Sequence, residues 1–117
     1  MAKKSAIPNP LERRYLAERD AAPEASLRLA EAYLAEGRAW EAIVFLQKAG
    51  ARDRMTELRE QAVTDGDFFL VREFTRALGD ELPAAHWRAT SEAAKAAGKE
   101  RYAASAHRMA ERAEGRS

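Results

Sequence analysis

The chain has 117 residues, enough for a single domain that buries about two thirds of its unfolded surface. Charged residues make up 33%, but 20 basic against 19 acidic groups leave a formal net charge of +1. This balance lacks the clustered basic excess of a nucleic-acid or membrane-surface binder, and the absence of cysteine excludes disulfides, thiolate nucleophiles and zinc–thiolate sites.

The first residues, MAKKSAIPNP, carry basic groups but no apolar h-region of a signal peptide, and no apolar run approaches the ~20 residues that cross a bilayer. A cytoplasmic protein is expected, with residues 1–9 disordered. Residues 10–22 hold a capping helix: Asn9 caps it, Pro10 takes its first position and Glu12 sits near the positive end of the dipole. From Pro10 to about Asp20 it presents Leu11, Tyr15 and Leu16 inward and leaves Arg13, Arg14 and Glu18 outside. Ala21-Ala22-Pro23 breaks it.

The stretch from Pro23 to Gly50 organises the rest. Leu27, Leu29, Ala30, Tyr33 and Leu34 recur at helical spacing until Gly37, a residue that adopts a left-handed helix end at little cost. Ala39, Ala42, Ile43, Leu46 and Ala49 then run down one face of a second helix to Gly50. Ala30 opposite Ala42 lets the two helices approach closely. Such a pair cannot bury its outer stripe alone and needs neighbours stacked on it.

Turn glycines act as a ruler for those neighbours, since Gly37, Gly66 and Gly98 stand about thirty residues apart. The second copy starts near Asp53, a suitable N-cap, and continues through Met55, Leu58 and Ala62 to Asp65-Gly66-Asp67. Phe68 to Leu78 is the most apolar segment; FFLV alone suits a strand, but Thr75, Arg76 and Ala77 continue at helical spacing, so a helix ending at Gly79 is expected. The third copy, Ala84 to Ala97 and Lys99 to about Glu114, is alanine-rich, with Trp87 as a core residue.

Leu29-Ala30, Tyr33, Ala42 and Leu46 in the first copy, Leu58, Val71 and Pro83 in the second, and Trp87, Ser91, Ala103 and Ala110 in the third resemble the tetratricopeptide repeat (TPR). Arg59 departs from the pattern, standing where a small residue is expected, as do Thr75 and His107, where large apolar ones are. The resemblance implies an all-α, TPR-like α-solenoid of antiparallel helix pairs, about seven helices with the short N-terminal capping helix. Three pairs would span 23–51, 52–83 and 84–115 in one domain. HEAT-like pairs and an irregular helical bundle stay open as alternatives.

Nothing in the chain asks for catalysis, a cofactor or a metal. His86 and His107, the two histidines, lack the i, i+4 spacing of a metal-binding helix, and no glycine-rich phosphate loop or nucleophile elbow is present. The expected function is non-catalytic protein–protein interaction, as an adaptor that takes a peptide or helix of a partner. By the resemblance, the first helix of each pair lines a concave groove. Glu31, Glu60 and Glu92, each six residues before a turn glycine, would then form an acidic column. Leu27, Leu34, Thr56, Val63, Arg88 and Lys95 would surround it, and a basic partner would suit it. Leu27, Thr56 and Glu31 stand where some members of the family carry a carboxylate clamp, which disfavours that mode of binding. The alternative is a structural or assembly protein that homodimerises through an outer apolar surface of Trp40, Val44 and Phe69. On these readings the chain is a monomer or a homodimer, with no nucleic-acid or membrane partner.

Overall fold

The computed structural model describes residues 7–18 and 22–115. Among them are seven helices and no strand: α1 (Pro10–Glu18), α2 (Pro23–Ala35), α3 (Ala39–Lys48), α4 (Arg52–Asp65), α5 (Phe68–Leu78), α6 (Ala84–Ala96) and α7 (Glu100–Gly115). The FFLV segment is helical, as expected. The expected end of the capping helix near Asp20, and most of the expected disorder in residues 1–9, lie outside the described residues. Contacts divide the chain into two compact units between Arg52 and Asp53.

The first unit is the α2–α3 hairpin with α1 beside it. Pro23 opens α2, and Gly37 (φ +72°) turns the chain while the Arg38 amide donates back to the Tyr33 carbonyl at 3.0 Å. Ala30, Tyr33, Ala42, Phe45 and Leu46 are buried between the helices. The Tyr33 and Phe45 rings lie nearly parallel, with centroids 5.7 Å apart. Asn9 caps α1 as expected, its Oδ1 accepting from the Glu12 amide at 2.9 Å.

The face that α1 turns inward corrects the sequence reading. Leu11 and Tyr15 are 79% and 63% exposed, whereas Leu16, expected inward, is half-buried and Arg13, expected outside, is half-buried beside it. The cause is chemical. The guanidinium of Arg13 lies 5.4 Å from the centre of the Tyr33 ring and 5.5 Å from that of Phe45, and its Nη2 donates to the Glu41 carbonyl at 2.8 Å. A cation over two stacked rings, with a hydrogen bond at its tip, replaces the apolar contact that periodicity alone anticipates.

The second unit contains α4 to α7. Asp53, expected as an N-cap, lies inside the first turn of α4, where its carboxylate still faces the positive end of the dipole. Asp67 caps α5, accepting from the Leu70 amide at 3.1 Å, and Gly79 ends that helix in the left-handed conformation. Val63, Phe68, Val71, Leu82 and Trp87 form the core with the small residues Ala106 and Ala110. Trp87 is 1% exposed, the core role its spacing suggests. Burying one such large side chain is worth about 2–3 kcal/mol.

Two contacts fix how these helices meet. The Ser91 hydroxyl donates to the Ala103 carbonyl at 2.8 Å, joining α6 to α7 where small residues permit close approach. Gly66, buried with φ +68°, sits in the α4–α5 turn directly against α6: a Cβ placed there would come within 2.6 Å of Ala94 Cα and 2.7 Å of the Ala93 carbonyl carbon. Only glycine satisfies both the backbone angle and that spacing.

Arg59, where the repeat pattern expects a small residue, is 6% exposed. Its Nη1 and Nη2 donate to the two carboxylate oxygens of Asp80 at 2.6 and 2.9 Å, and Nη1 also reaches Thr75 Oγ1 at 3.3 Å. Two of the three residues that depart from the pattern, Arg59 and Thr75, therefore form one polar contact between α4 and α5. The fork of a bidentate guanidinium compensates its burial.

Candidate functional site

In the first unit, Leu27, Glu31 and Leu34 follow one another at i, i+4 and i+7 on α2, so they share a face. Leu27 is partly exposed, and Glu31 and Leu34 are half-buried. On α3, Trp40 is 60% exposed and Val44, one turn on, is half-buried. Among the described residues of this unit, four large apolar side chains thus reach the surface: Leu11, Tyr15, Leu27 and Trp40.

The same unit holds a charged and aromatic layer. Arg38 donates from Nε and Nη2 to both carboxylate oxygens of Glu41, at 2.7 and 2.6 Å, and its guanidinium stands 5.0 Å from the Tyr33 ring centre. Arg13 and Arg38 both stack on Tyr33, and Glu41 meets both: Arg38 through the fork, Arg13 Nε at 3.9 Å. The hydrogen bonds from Arg38 hold the Glu41 carboxyl below its ordinary range and, reciprocally, raise the Arg38 guanidinium. The Tyr33 hydroxyl, buried in this layer, has no hydrogen-bond partner among the described residues.

In the second unit, Thr56, Glu60, Arg88, Glu92 and Lys95 are exposed on α4 and α6. Val63 is buried with the core and presents no surface of its own. His86 Nε2, at the start of α6, lies 3.6 Å from Glu60 Oε1. Arg88 pairs with Glu114 of α7, not with Glu92 on its own helix. Phe69 is half-buried, with the Arg72 guanidinium 5.5 Å from its ring centre. No group of three or more histidine, aspartate or glutamate side chains among the described residues is arranged to hold a metal ion. No described helix is long and apolar enough to cross a membrane.

A feature absent from the sequence reading lies between α5 and α7. It is a cleft of about 400 Å³ whose walls carry Arg72 and Arg76 from α5 and Arg108 and Arg112 from α7. Phe68 and Trp87 form its floor, and Met109 contributes a flexible apolar wall. Arg72 and Arg76 share one carboxylate, Glu73, at 3.7 and 3.6 Å. Arg108 donates to the neutral Ser105 hydroxyl at 3.1 Å, and Arg112 contacts the Met109 sulfur at 4.0 Å. Four guanidiniums over an aromatic floor, one carboxylate among them, make this a cationic, partly apolar cleft. Each helix carries its two arginines four residues apart, a spacing visible in the sequence, but only packing sets the rows side by side.

Compared with family models, curated proteins and solved structures, the chain matches none.

Proposed function

We propose that this chain is a non-catalytic interaction module, built of TPR-like helix pairs, that binds a segment of a partner protein. The observation that carries the reading is the exposure of Leu11, Tyr15, Leu27 and Trp40 in one small unit, where large apolar side chains on the surface mark a protein interface. The α2 face of Leu27, Glu31 and Leu34 supplies apolar anchors around a carboxylate, which suits a basic amphipathic helix. Within the second unit, Glu60 and Glu92 with their exposed neighbours Thr56, Arg88 and Lys95 offer a separate charged surface on α4 and α6, where Arg88 and Lys95 set the register of charge. The alternative is homodimerisation through Trp40 and Val44, favoured by the 60% exposure of Trp40; Phe69 contributes less because Arg72 stacks on it.

Two measurements separate the readings. Light scattering behind size exclusion, at two concentrations, is run on the wild type and on Trp40→Ser. A wild-type dimer that becomes a folded monomer assigns the function to Trp40. A monomer in both cases removes self-association. Titration with a labelled amphipathic helix of lysine and leucine then tests the α2 face. Leu27→Ser and Glu31→Gln should each weaken binding, by about tenfold for the apolar anchor and severalfold for the charge. Binding unchanged in both variants refutes the α2 site.

A further inference from the structure

The geometry points to the cleft between α5 and α7 as a second binding site, one that takes an acidic segment of a partner protein through paired carboxylates and one apolar side chain. It does not depend on which face of the first unit is used. Three observations lead there.

First, the charge in the cleft is in excess. Arg72 and Arg76 divide the single carboxylate of Glu73, while among the described residues Arg108 and Arg112 contact a hydroxyl and a thioether within it. Guanidinium forks are shaped for bidentate carboxylate or phosphate, and neither neutral contact satisfies that shape. The Nε of Arg72 is buried and has no acceptor among the described residues, so a donor is already held at the cleft wall.

Second, the floor is apolar. Phe68 and Trp87 lie beneath the arginines with Met109 beside them, and the Arg72 guanidinium sits 5.5 Å from the Phe68 ring centre. Inorganic phosphate has nothing to place on such a floor. A ligand that carries an apolar group between its charges does, and a volume of about 400 Å³ accommodates one large side chain with its neighbours.

Third, the arginines form two rows instead of converging on a point. Positions 72 and 76 on α5, and 108 and 112 on α7, are each one turn apart, a rise of about 6 Å. One phosphate meets one or two forks at such spacing. A helical segment with glutamates one turn apart meets a whole row. The occupant is therefore a peptide with carboxylates at i and i+4 and a leucine or phenylalanine between them.

The test uses the full chain and a labelled helical peptide of about four turns, with glutamates at i, i+4 and i+8 and leucines between them, followed by fluorescence anisotropy. Measurable binding is expected at about 50 mM salt, falling steeply toward 0.5 M as the exposed charges are screened. Arg108→Ala and Arg112→Ala, both at exposed positions, should each weaken it about tenfold with the helical circular-dichroism signal unchanged. Arg108→Lys keeps the charge but loses the fork, and should fall between wild type and Arg108→Ala. Glu31→Gln and Leu27→Ser should leave the acidic peptide unaffected, so failure here is distinct from failure of the α2 reading. The proposal is overturned by no binding at about 1 mM peptide in low salt, or by affinity within twofold of wild type in both alanine variants. Displacement of the peptide by pyrophosphate at lower concentration than by unlabelled peptide also overturns it, and assigns the cleft to phosphate.

Discussion

Replacement of Gly66 by alanine tests how closely the second unit is packed, and Gly98 supplies the control. Both glycines close a helix–turn–helix and both have left-handed φ, +68° and +75°. They differ in surroundings: a Cβ at Gly98 meets nothing within 4 Å, whereas at Gly66 it meets the backbone of Ala93 and Ala94. At Gly98 the cost is the left-handed penalty, ~1–2 kcal/mol, partly offset by ~0.4–1 kcal/mol from the stiffer unfolded chain, or about 1 kcal/mol net. Gly66→Ala adds an overlap with main-chain atoms that cannot rotate away. Overpacking of this kind costs ~1–3 kcal/mol, so the total is about 2–4 kcal/mol. At about 4 °C per kcal/mol for a domain of this size, Tm should fall by about 4 °C for Gly98→Ala and about 8–16 °C for Gly66→Ala. Urea unfolding followed by Trp87 fluorescence reads this unit directly, in a Trp40→Phe background that removes the only other tryptophan. Equal costs for the two glycines, within about 0.5 kcal/mol, would refute the argument from close approach.

Two further substitutions probe buried polar groups. Tyr33→Phe removes a hydroxyl with no partner among the described residues and keeps the ring under Arg13 and Arg38, so stability to urea should hold or rise by up to about 1 kcal/mol; a loss larger than that shows that the hydroxyl is satisfied. Asp80→Ala leaves the buried Arg59 guanidinium without its carboxylate. A fully buried pair costs ~3–5 kcal/mol to break; here Asp80 is 39% exposed, so about 2 kcal/mol is expected. Arg59→Met, which removes the charge and fills the space, should stay within about 1 kcal/mol of wild type, and equal losses in the two variants would sink the reading of Arg59–Asp80 as a compensated charge.

Helix number and ends were legible because they rest on local chemistry. Glycine alone takes a left-handed turn cheaply, and Gly37, Gly66 and Gly98 punctuate the helices where the sequence places them. Trp87 was readable as core because a stripe of apolar and small residues accompanies it. The inward face of α1 was not, because hydrophobic periodicity cannot anticipate an arginine whose guanidinium finds two stacked rings from other helices. Arg59 was misleading for a related reason: a buried arginine is intelligible only with Asp80, which lies beyond the next helix in sequence. The arginine cleft was invisible because each row is an ordinary solvated helix face until α5 and α7 are set together. Val63 illustrates the reverse error, since a repeat column assigns it to a surface while packing against Phe68 and Trp87 places it in the core.

The attachment of α1 through Arg13 has a consequence for how freely this helix can vary. None of its described side chains is fully buried, and one guanidinium reaches the stacked rings of α2 and α3. Leu11, 79% exposed, is thereby released from any duty to the core. Folding tolerates serine, lysine or glutamate at position 11, whereas Arg13 tolerates little. In a saturation screen scored separately for abundance and for partner capture, position 11 would be silent in the first score, and whatever it contributes would be written entirely in the second.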